Sequence, residues 1–235
     1  MLKDRSFYII IIGMKNINIL YEDDKYIVVN KPAGLAVQGG KGVKTSLDKI
    51  LGNIRKPAPL LVHRLDKDTS GVLIAAKTKE WAAYLSRTME PHSKEGKRVI
   101  KQYIAVCFNL LPESGGVISY DLEINGSIKK SETGYKVIKT GKLELPKTES
   151  DEMQIIEFSV LEIKLYTGRM HQIRRHLAMN GNPVFGDDKY GNFPLNKKLR
   201  KAGHKHLLLH ASCLVIDKLG LDIQAPLPEY FSPFI

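Results

Sequence analysis

Residues 61–76 read LVHRLDKDTSGVLIAA, a mainly polar segment set between two apolar runs. The second run, residues 71–76, has the length of a buried strand, so the polar segment is predicted to be a loop leading into this strand. Such a loop either binds a ligand or makes an ordinary turn, and the Asp-Thr-Ser-Gly stretch at 68–71 suits a turn. Asp66 and Asp68 lack a matching third ligand, so this pair does not by itself predict a metal site.

The rest of the chain predicts more strands than helices. Besides a hairpin within Ile19–Lys31, strands are expected at Val99–Phe108, Val117–Leu122, Thr133–Ile138, Ile155–Tyr166 and Leu207–Ile216. Helices are expected at Lys44–Leu51, Lys79–Met89, Met170–Asn180 and Leu195–Ala202, the last two ended by Gly181 and Gly203. Most consecutive strands lack the helix that a parallel crossover needs, which favours a largely antiparallel α+β sheet. The polar stretch Lys139–Asp151 is the most linker-like segment and is predicted to be a surface excursion.

The composition is that of a folded, basic protein. Its 235 residues are 43% hydrophobic, which excludes a disordered tail, and its net charge of +11 suggests a polyanion as partner. Residues 164–206 contribute ten Lys or Arg and two Asp to this charge, although a solvated helix face is the alternative explanation. No apolar stretch approaches the roughly 20 residues of a membrane span. Cys107 and Cys213 form no Cys-x-x-Cys motif, which favours a reducing compartment.

A second dense stretch, residues 166–191, reads YTGRMHQIRRHLAMNGNPVFGDDKYG. It predicts a helix on which His171 and Arg174 share one face while apolar residues pack on another. His171 and His176 are five residues apart, whereas a helical zinc pair is spaced by four, so metal ligation is not expected. Walker, dinucleotide and Gly-x-Ser-x-Gly motifs are absent from the chain, so nothing indicates ATP, NAD or a serine hydrolase.

Two of these stretches together carry a family resemblance. HRLDKDTSG at 63–71 resembles one signature of the RluA family of pseudouridine synthases, and TGRMHQIRRHLAMNGNPVFGD at 167–187 is similar to the second. Lys101-Gln102-Tyr103 resembles the Lys-x-Tyr strand of that family, and the similarity spans about residues 18–230. The stretch DDKYG at 187–191, with the basic helix after it, looks most like the branch that acts on large-subunit ribosomal RNA.

The resemblance implies both a fold and a reaction. The fold is an α+β pseudouridine synthase fold, with a central, mostly antiparallel mixed sheet, flanking helices and an RNA-binding cleft. The reaction detaches uracil at N1, turns it within the pocket and rejoins it through C5, with no metal or organic cofactor. The implied substrate is 23S ribosomal RNA. The alternatives are a transfer RNA substrate and a non-catalytic role in RNA binding or ribosome assembly.

The resemblance also implies roles for individual residues. Asp66 matches the catalytic aspartate, which either attacks C1′ of the ribose or removes a proton from C2′, a choice that the sequence leaves open. Tyr103 matches the tyrosine that packs on the base, and Arg174 the arginine that pairs with the aspartate and keeps it anionic. Arg64 matches a residue that holds the target nucleotide out of its stack. Further RNA contacts are predicted at His63, Thr69, Arg169, His171, Gln172, Lys197, Lys198 and Lys201.

The matched region also suggests a division of the chain. Residues 1–17 are predicted to be an N-terminal extension and residues 18–235 the catalytic domain. Residues 1–13 are either native or the result of a start assigned upstream of Met14. Such an extension is too short for the S4-like RNA-binding domain of many relatives, which leaves target selection open. We expect a cytoplasmic monomer that binds RNA, without a membrane or a metal as partner.

Overall fold

The computed structural model describes residues 8–12, 15–90, 99–111, 114–145 and 154–235. The strands are β1 Tyr8–Ile12, β2 Lys15–Glu22, β3 Tyr26–Lys31, β4 Leu60–Leu61, β5 Ser70–Ala76, β6 Val99–Phe108, β7 Gly115–Ser119, β8 Leu122–Ile124, β9 Ser127–Lys129, β10 Glu132–Leu145, β11 Gln154–Leu165, β12 Leu209–Ile216 and β13 Leu221–Gln224. The helices are α1 Leu47–Ile54, α2 Lys79–Thr88, α3 Gln172–Met179 and α4 Phe193–Lys201. None of the helices in these ranges is long and apolar enough to cross a membrane. The architecture is α+β with mostly antiparallel strand pairing, as predicted.

The chain divides into two compact units, and the first consists of residues 1–101 and 211–227. Its strands follow the order β1-β2-β3-β5-β12, with β4 paired to β5 and β13 paired to β12. The helix α2 covers this sheet, because Leu85 and Met89 pack into a core that includes Val28 and Ile74. The side chain of Thr78 caps the first turn of α2 by accepting a hydrogen bond from the Trp81 N–H.

The second unit consists of residues 102–210 and 228–235. Its strands follow the order β6-β11-β10-β7, all antiparallel, and β8 and β9 form a separate hairpin. The core is aromatic: the Phe108 and Phe185 ring centroids lie 4.2 Å apart, and Phe158 meets Phe234 edge to face at 5.4 Å. Sheet and core together provide a rigid base for α3 and α4.

The predicted ends of α3 and α4 are confirmed. Beyond each helix a glycine adopts a positive φ, +81° at Gly181 and +96° at Gly203. The next amide then bonds back to the helix: Asn182 N–H to Leu177 O at 2.8 Å, and His204 N–H to Leu199 O at 2.9 Å. These bonds satisfy carbonyls that a helix end otherwise leaves unpaired.

Two predicted segments differ from the structure. The strand expected at 117–122 is interrupted: β7 ends at Ser119, and Leu122 begins β8, which a turn at Asn125-Gly126 with positive φ folds onto β9. The surface excursion expected at 139–151 is wrong for residues 139–145, which continue β10 and pair with β11. Residues 146–151 lie outside the described residues.

The starts of α3 and α4 also differ from prediction. The helix α3 begins at Gln172 rather than at Met170, because His171 adopts a left-handed conformation with a φ of +53°. The helix α4 begins two residues early, at Phe193, because Asn192 caps it by accepting a hydrogen bond from the Leu195 N–H.

At the other end of the chain, the predicted domain boundary after residue 17 falls inside β2, and β1 pairs with β2.

Candidate active site

The loop between β4 and β5, in the first unit, carries Asp66. His63 anchors the start of this loop, because its Nε2 accepts a hydrogen bond from the Ile74 N–H at 3.1 Å. Burial, helped by the positive charge of Lys101, lowers the pKa of His63 to about 3. The imidazole is therefore neutral at physiological pH and can keep this acceptor role.

A buried lysine holds the middle of the same loop. Lys31, at the end of β3, is fully buried, and its Nζ donates to the carbonyl oxygens of Pro32, Leu35 and Lys67, each at 2.9 Å. Lys67 directly follows Asp66. The ammonium group thus fixes the backbone beside the predicted catalytic carboxylate, a role that the sequence analysis did not assign to Lys31.

A close backbone approach fixes the end of the loop. Gly71 has a φ of +115°, and a Cβ atom at this position would lie 2.1 Å from the carbonyl oxygen of Ala211. Only glycine fits there, which gives the final glycine of HRLDKDTSG a physical reason. The loop is therefore held at three places: by His63, by Lys31 and by Gly71.

Between these anchors the side chains differ in exposure. Asp66 is partly buried and Arg64 is exposed, as groups that meet a nucleotide need to be. Thr69 is only 2% exposed, and its Oγ1 has no hydrogen-bond partner among the described residues. Of the predicted RNA contacts in this loop, Arg64 is therefore the better placed, whereas Thr69 and His63 are turned to the protein.

In the second unit, Arg174 on α3 is buried against Asp187. Its Nε and Nη2 donate to the Asp187 Oδ2 and Oδ1, each at 2.7 Å, and the two side chains are 6% and 0% exposed. Burial raises the pKa of Asp187, but hydrogen bonds from Arg174 and from the Tyr190 and Lys189 amides outweigh it, so the pKa lies below its usual value. This two-point pair fixes the guanidinium plane.

Asp187, which lies 13 residues beyond Arg174, was not among the predicted site residues. The sequence did offer a sign of this residue, because Asp187 is the first acid of the stretch GDDKYG at 186–191. Tyr190 was missed as well: its hydroxyl and the His171 Nδ1 are hydrogen-bonded at 3.0 Å, and Arg174 lies over its ring at 5.4 Å from the centroid. His171, predicted to contact RNA, is thus already engaged with Tyr190.

Gln172 has the best-satisfied side chain of this region. Its Oε1 accepts from the Thr167 hydroxyl and the Arg169 N–H, while its Nε2 donates to the Glu132 carbonyl and the Thr133 Oγ1. The residue is 2% exposed. This geometry favours a positioning role, tying the segment before α3 to β10, over the predicted RNA contact.

The remaining predicted residues of this unit differ in accessibility. Tyr103 lies on β6, opposite Ile163 of β11, and is 9% exposed. Arg169 is partly buried, and its Nε has no hydrogen-bond partner among the described residues. On α4, Lys197 and Lys201 are exposed, whereas Lys198 is half-buried and donates to Gln154 Oε1 at 2.9 Å.

The three predicted catalytic residues are divided between the two units. Asp66 lies in the first unit and Tyr103 and Arg174 in the second. The pairing of Asp66 with Arg174 stays a prediction. Within the described ranges, no three His, Cys, Asp or Glu side chains come together as a metal site would require.

The chain is similar in sequence to known RNA-modifying proteins of one family. Residues 25–179 match the family described as RNA pseudouridylate synthase. The ribosomal large subunit pseudouridine synthase C of Rickettsia felis is 38% identical over 91% of this chain and 68% of its own length. The protein of the same name from Buchnera aphidicola is 34% identical, with 93% of this chain and 69% of its own covered.

Solved structures agree with the sequence comparison. Human RNA pseudouridylate synthase domain containing 1 superposes with a TM-score of 0.71 and 27% identity, over 93% of this chain and 85% of its own. Human RNA pseudouridylate synthase domain containing 4 gives 0.69 and 25%, over 91% and 90%.

Proposed function

This chain belongs to the RNA pseudouridylate synthase family, and from that premise we propose that it isomerises uridines of large-subunit ribosomal RNA to pseudouridine. The relatives from Rickettsia and Buchnera, both named for the ribosomal large subunit, support this substrate. The chain keeps Asp66, Tyr103 and Arg174 at the positions that the family resemblance identifies.

Asp66 is proposed to carry the chemistry. The bond between uracil N1 and ribose C1′ breaks, the base turns, and a bond from C5 to C1′ replaces it. The C5 proton is lost and N1 gains one, so atoms balance and no redox partner is needed. A carboxylate serves either by bonding to C1′ or by taking the C2′ proton.

Arg174, Asp187 and Tyr103 of the second unit are proposed to hold the reacting groups still. Arg174 orients the carboxylate and keeps it ionised once RNA excludes water, while Asp187 fixes the guanidinium from behind. Tyr103 offers a face to the unstacked base, and such stacking is worth about 1–3 kcal/mol.

Extruding a uridine from a helix costs a few kcal/mol, which binding must offset. The exposed Arg64 is suited to hold the nucleotide outside its stack. The partly buried Arg169 and the exposed Lys197 and Lys201 are suited to phosphate contacts. These contacts supply affinity without sequence preference.

The protein is proposed to act as a cytoplasmic monomer on 23S ribosomal RNA. Cys107 and Cys213 are both buried free thiols, which suits a reducing compartment. The RNA substrate is the second argument for this location.

The observation that carries the proposal is the anchored loop: His63, Lys31 and Gly71 hold its backbone, while Asp66 between them keeps access to solvent. A structural turn does not need three such anchors around a partly exposed carboxylate.

The test is to map pseudouridines in ribosomal and transfer RNA by chemical adduct formation and primer extension. Cells lacking the gene are complemented with the unchanged protein, with Asp66→Asn or with Asp68→Asn. Asp68 is the matched control, because it is a partly buried aspartate of the same loop. We expect a large-subunit site to vanish on deletion and to return with all but Asp66→Asn.

Other outcomes contradict separate parts of the proposal. A site lost from transfer RNA alone would make the substrate wrong. A site restored by Asp66→Asn would make the mechanism wrong, and no lost site at all would favour an RNA-binding factor without catalysis.

A further inference from the structure

A pocket of about 270 Å³ lies in the second unit, just beyond the C-terminal end of α4. Its lining includes residues 202–206, Leu208, Tyr230 and Pro233. The rings of His206 and Tyr230 are stacked, with 4.3 Å between centroids and 18° between planes. His206 is exposed, so this stack ends at the surface.

The pocket wall is held in place by the protein backbone. After Gly203, the His204 N–H bonds back to Leu199 O at 2.9 Å, and the His204 ring packs on Phe234 at 5.2 Å. The carbonyl of His206 lies so close to Gly186 that a Cβ there would be 2.0 Å away. Little ordering is therefore required when a ligand enters.

The surroundings of the pocket are strongly cationic. Residues 189–206 contain six Lys or Arg and no Asp or Glu. Lys205 lines the pocket and is exposed, Arg200 and Lys201 are exposed directly before the lining residue Ala202, and Glu229, next to Tyr230 in the chain, is an exposed acid. A negatively charged ligand is favoured at this pocket.

Size and chemistry limit the occupant. The volume lies just below the range of about 300–1,000 Å³ typical of sites for drug-sized ligands, so the pocket suits a single small ring system. A flat stack beside several cations matches the way in which proteins bind unpaired nucleotides, with the base on an aromatic face and the phosphate on lysines.

We propose that this pocket binds an unpaired nucleotide of the substrate RNA other than the reacting uridine, with its base on His206 and its phosphate near Lys201 and Lys205. The proposal rests on the proposed function for the identity of the RNA. Such a nucleotide gives the protein a second contact with the RNA besides the reacting uridine, and so adds to RNA affinity.

The test measures RNA affinity in the full chain carrying Asp66→Asn, which prevents turnover. The probe is a fluorescein-labelled single-stranded RNA of mixed sequence, about 16 nucleotides long, read by fluorescence anisotropy. The test variants are His206→Ala and His206→Phe. The matched control is Phe193→Ala, which removes an exposed aromatic ring of α4 that does not line the pocket.

We expect His206→Ala to weaken binding about tenfold, because a stacking face is lost. His206→Phe keeps that face and should stay within about twofold of the parent, as should Phe193→Ala. Thermal melting of each variant confirms that the fold is unchanged, which is expected for exposed positions.

Two results would overturn the proposal. Binding by His206→Ala within about twofold of the parent would show that no nucleotide uses the stack. Equal losses in His206→Phe and His206→Ala would exclude stacking as the cause. Both are distinct from failure of the proposed function, which would appear as absent pseudouridine in RNA treated with the unchanged protein.

Discussion

The buried ion pair between Arg174 and Asp187 allows a quantitative prediction. Asp187→Asn keeps the shape of the side chain but removes the charge that faces the guanidinium at 2.7 Å from both Nε and Nη2. Removing one partner of a buried pair costs about 3–5 kcal/mol. Asparagine still accepts one hydrogen bond, so we expect the lower end, about 3 kcal/mol. In a chain of this length that lowers Tm by about 6–12 °C.

The control is the neighbouring residue. Asp188 is 3.6 Å from the same Nη2, but its side chain is 72% exposed, so Asp188→Asn should change stability by less than about 1 kcal/mol. Calorimetry and urea unfolding of the unchanged protein and both variants provide the measurement. Equal destabilisation by Asp187→Asn and Asp188→Asn would refute the reasoning.

The pH dependence gives a second signature of the same pair. Because the pKa of Asp187 is lowered in the folded state, its contribution to stability is present above its ordinary value and is lost as the pH falls through the folded value. The stability gap between the unchanged protein and Asp187→Asn should therefore be constant above about pH 5 and narrow below about pH 4. A gap that widened with acid would mean that the sign of the shift is wrong.

Three further predictions concern turnover, RNA binding and the loop. Arg174→Ala should lower the single-turnover rate far more than RNA affinity, because Arg174 is proposed to orient one carboxylate rather than to bind many phosphates, and equal losses would contradict that role. The double variant Lys197→Gln/Lys201→Gln should reduce the slope of log affinity against log salt by about 1.4–1.8. Lys198→Gln should change this slope less, because Lys198 already donates to Gln154. An unchanged slope in the double variant would mean that α4 does not face RNA. Gly71→Ala should lower the free energy of unfolding in urea by more than about 2 kcal/mol, because Gly71 has a positive φ and a Cβ atom there would lie 2.1 Å from the Ala211 carbonyl oxygen. Gly40→Ala should leave the free energy of unfolding nearly unchanged, because nothing lies within 4 Å of the added Cβ.

Local sequence signals predicted much of the fold. The strand Val99–Phe108 was predicted at both ends, because the segment VIKQYIAVCF is rich in β-branched and aromatic residues, which favour strands. Gly181 and Gly203 marked the ends of α3 and α4, because a left-handed residue after a helix favours glycine whatever the surrounding structure. The signatures at 63–71 and 167–187 likewise identified the family, because short motifs of specific residues can be recognised without knowing the fold.

Residues that position other residues were not predictable in this way. Lys31 is bound to the carbonyl of Lys67, 36 residues away, and His206 stacks on Tyr230, 24 residues away. A lysine or a histidine shows no local pattern when it is buried or stacked, because only the folded chain supplies its partners. The sequence therefore determined the family and the place of most strands and helices of this protein. The tertiary structure alone decided which polar side chains are buried as anchors, since desolvation and pairing depend on neighbours that are distant along the chain.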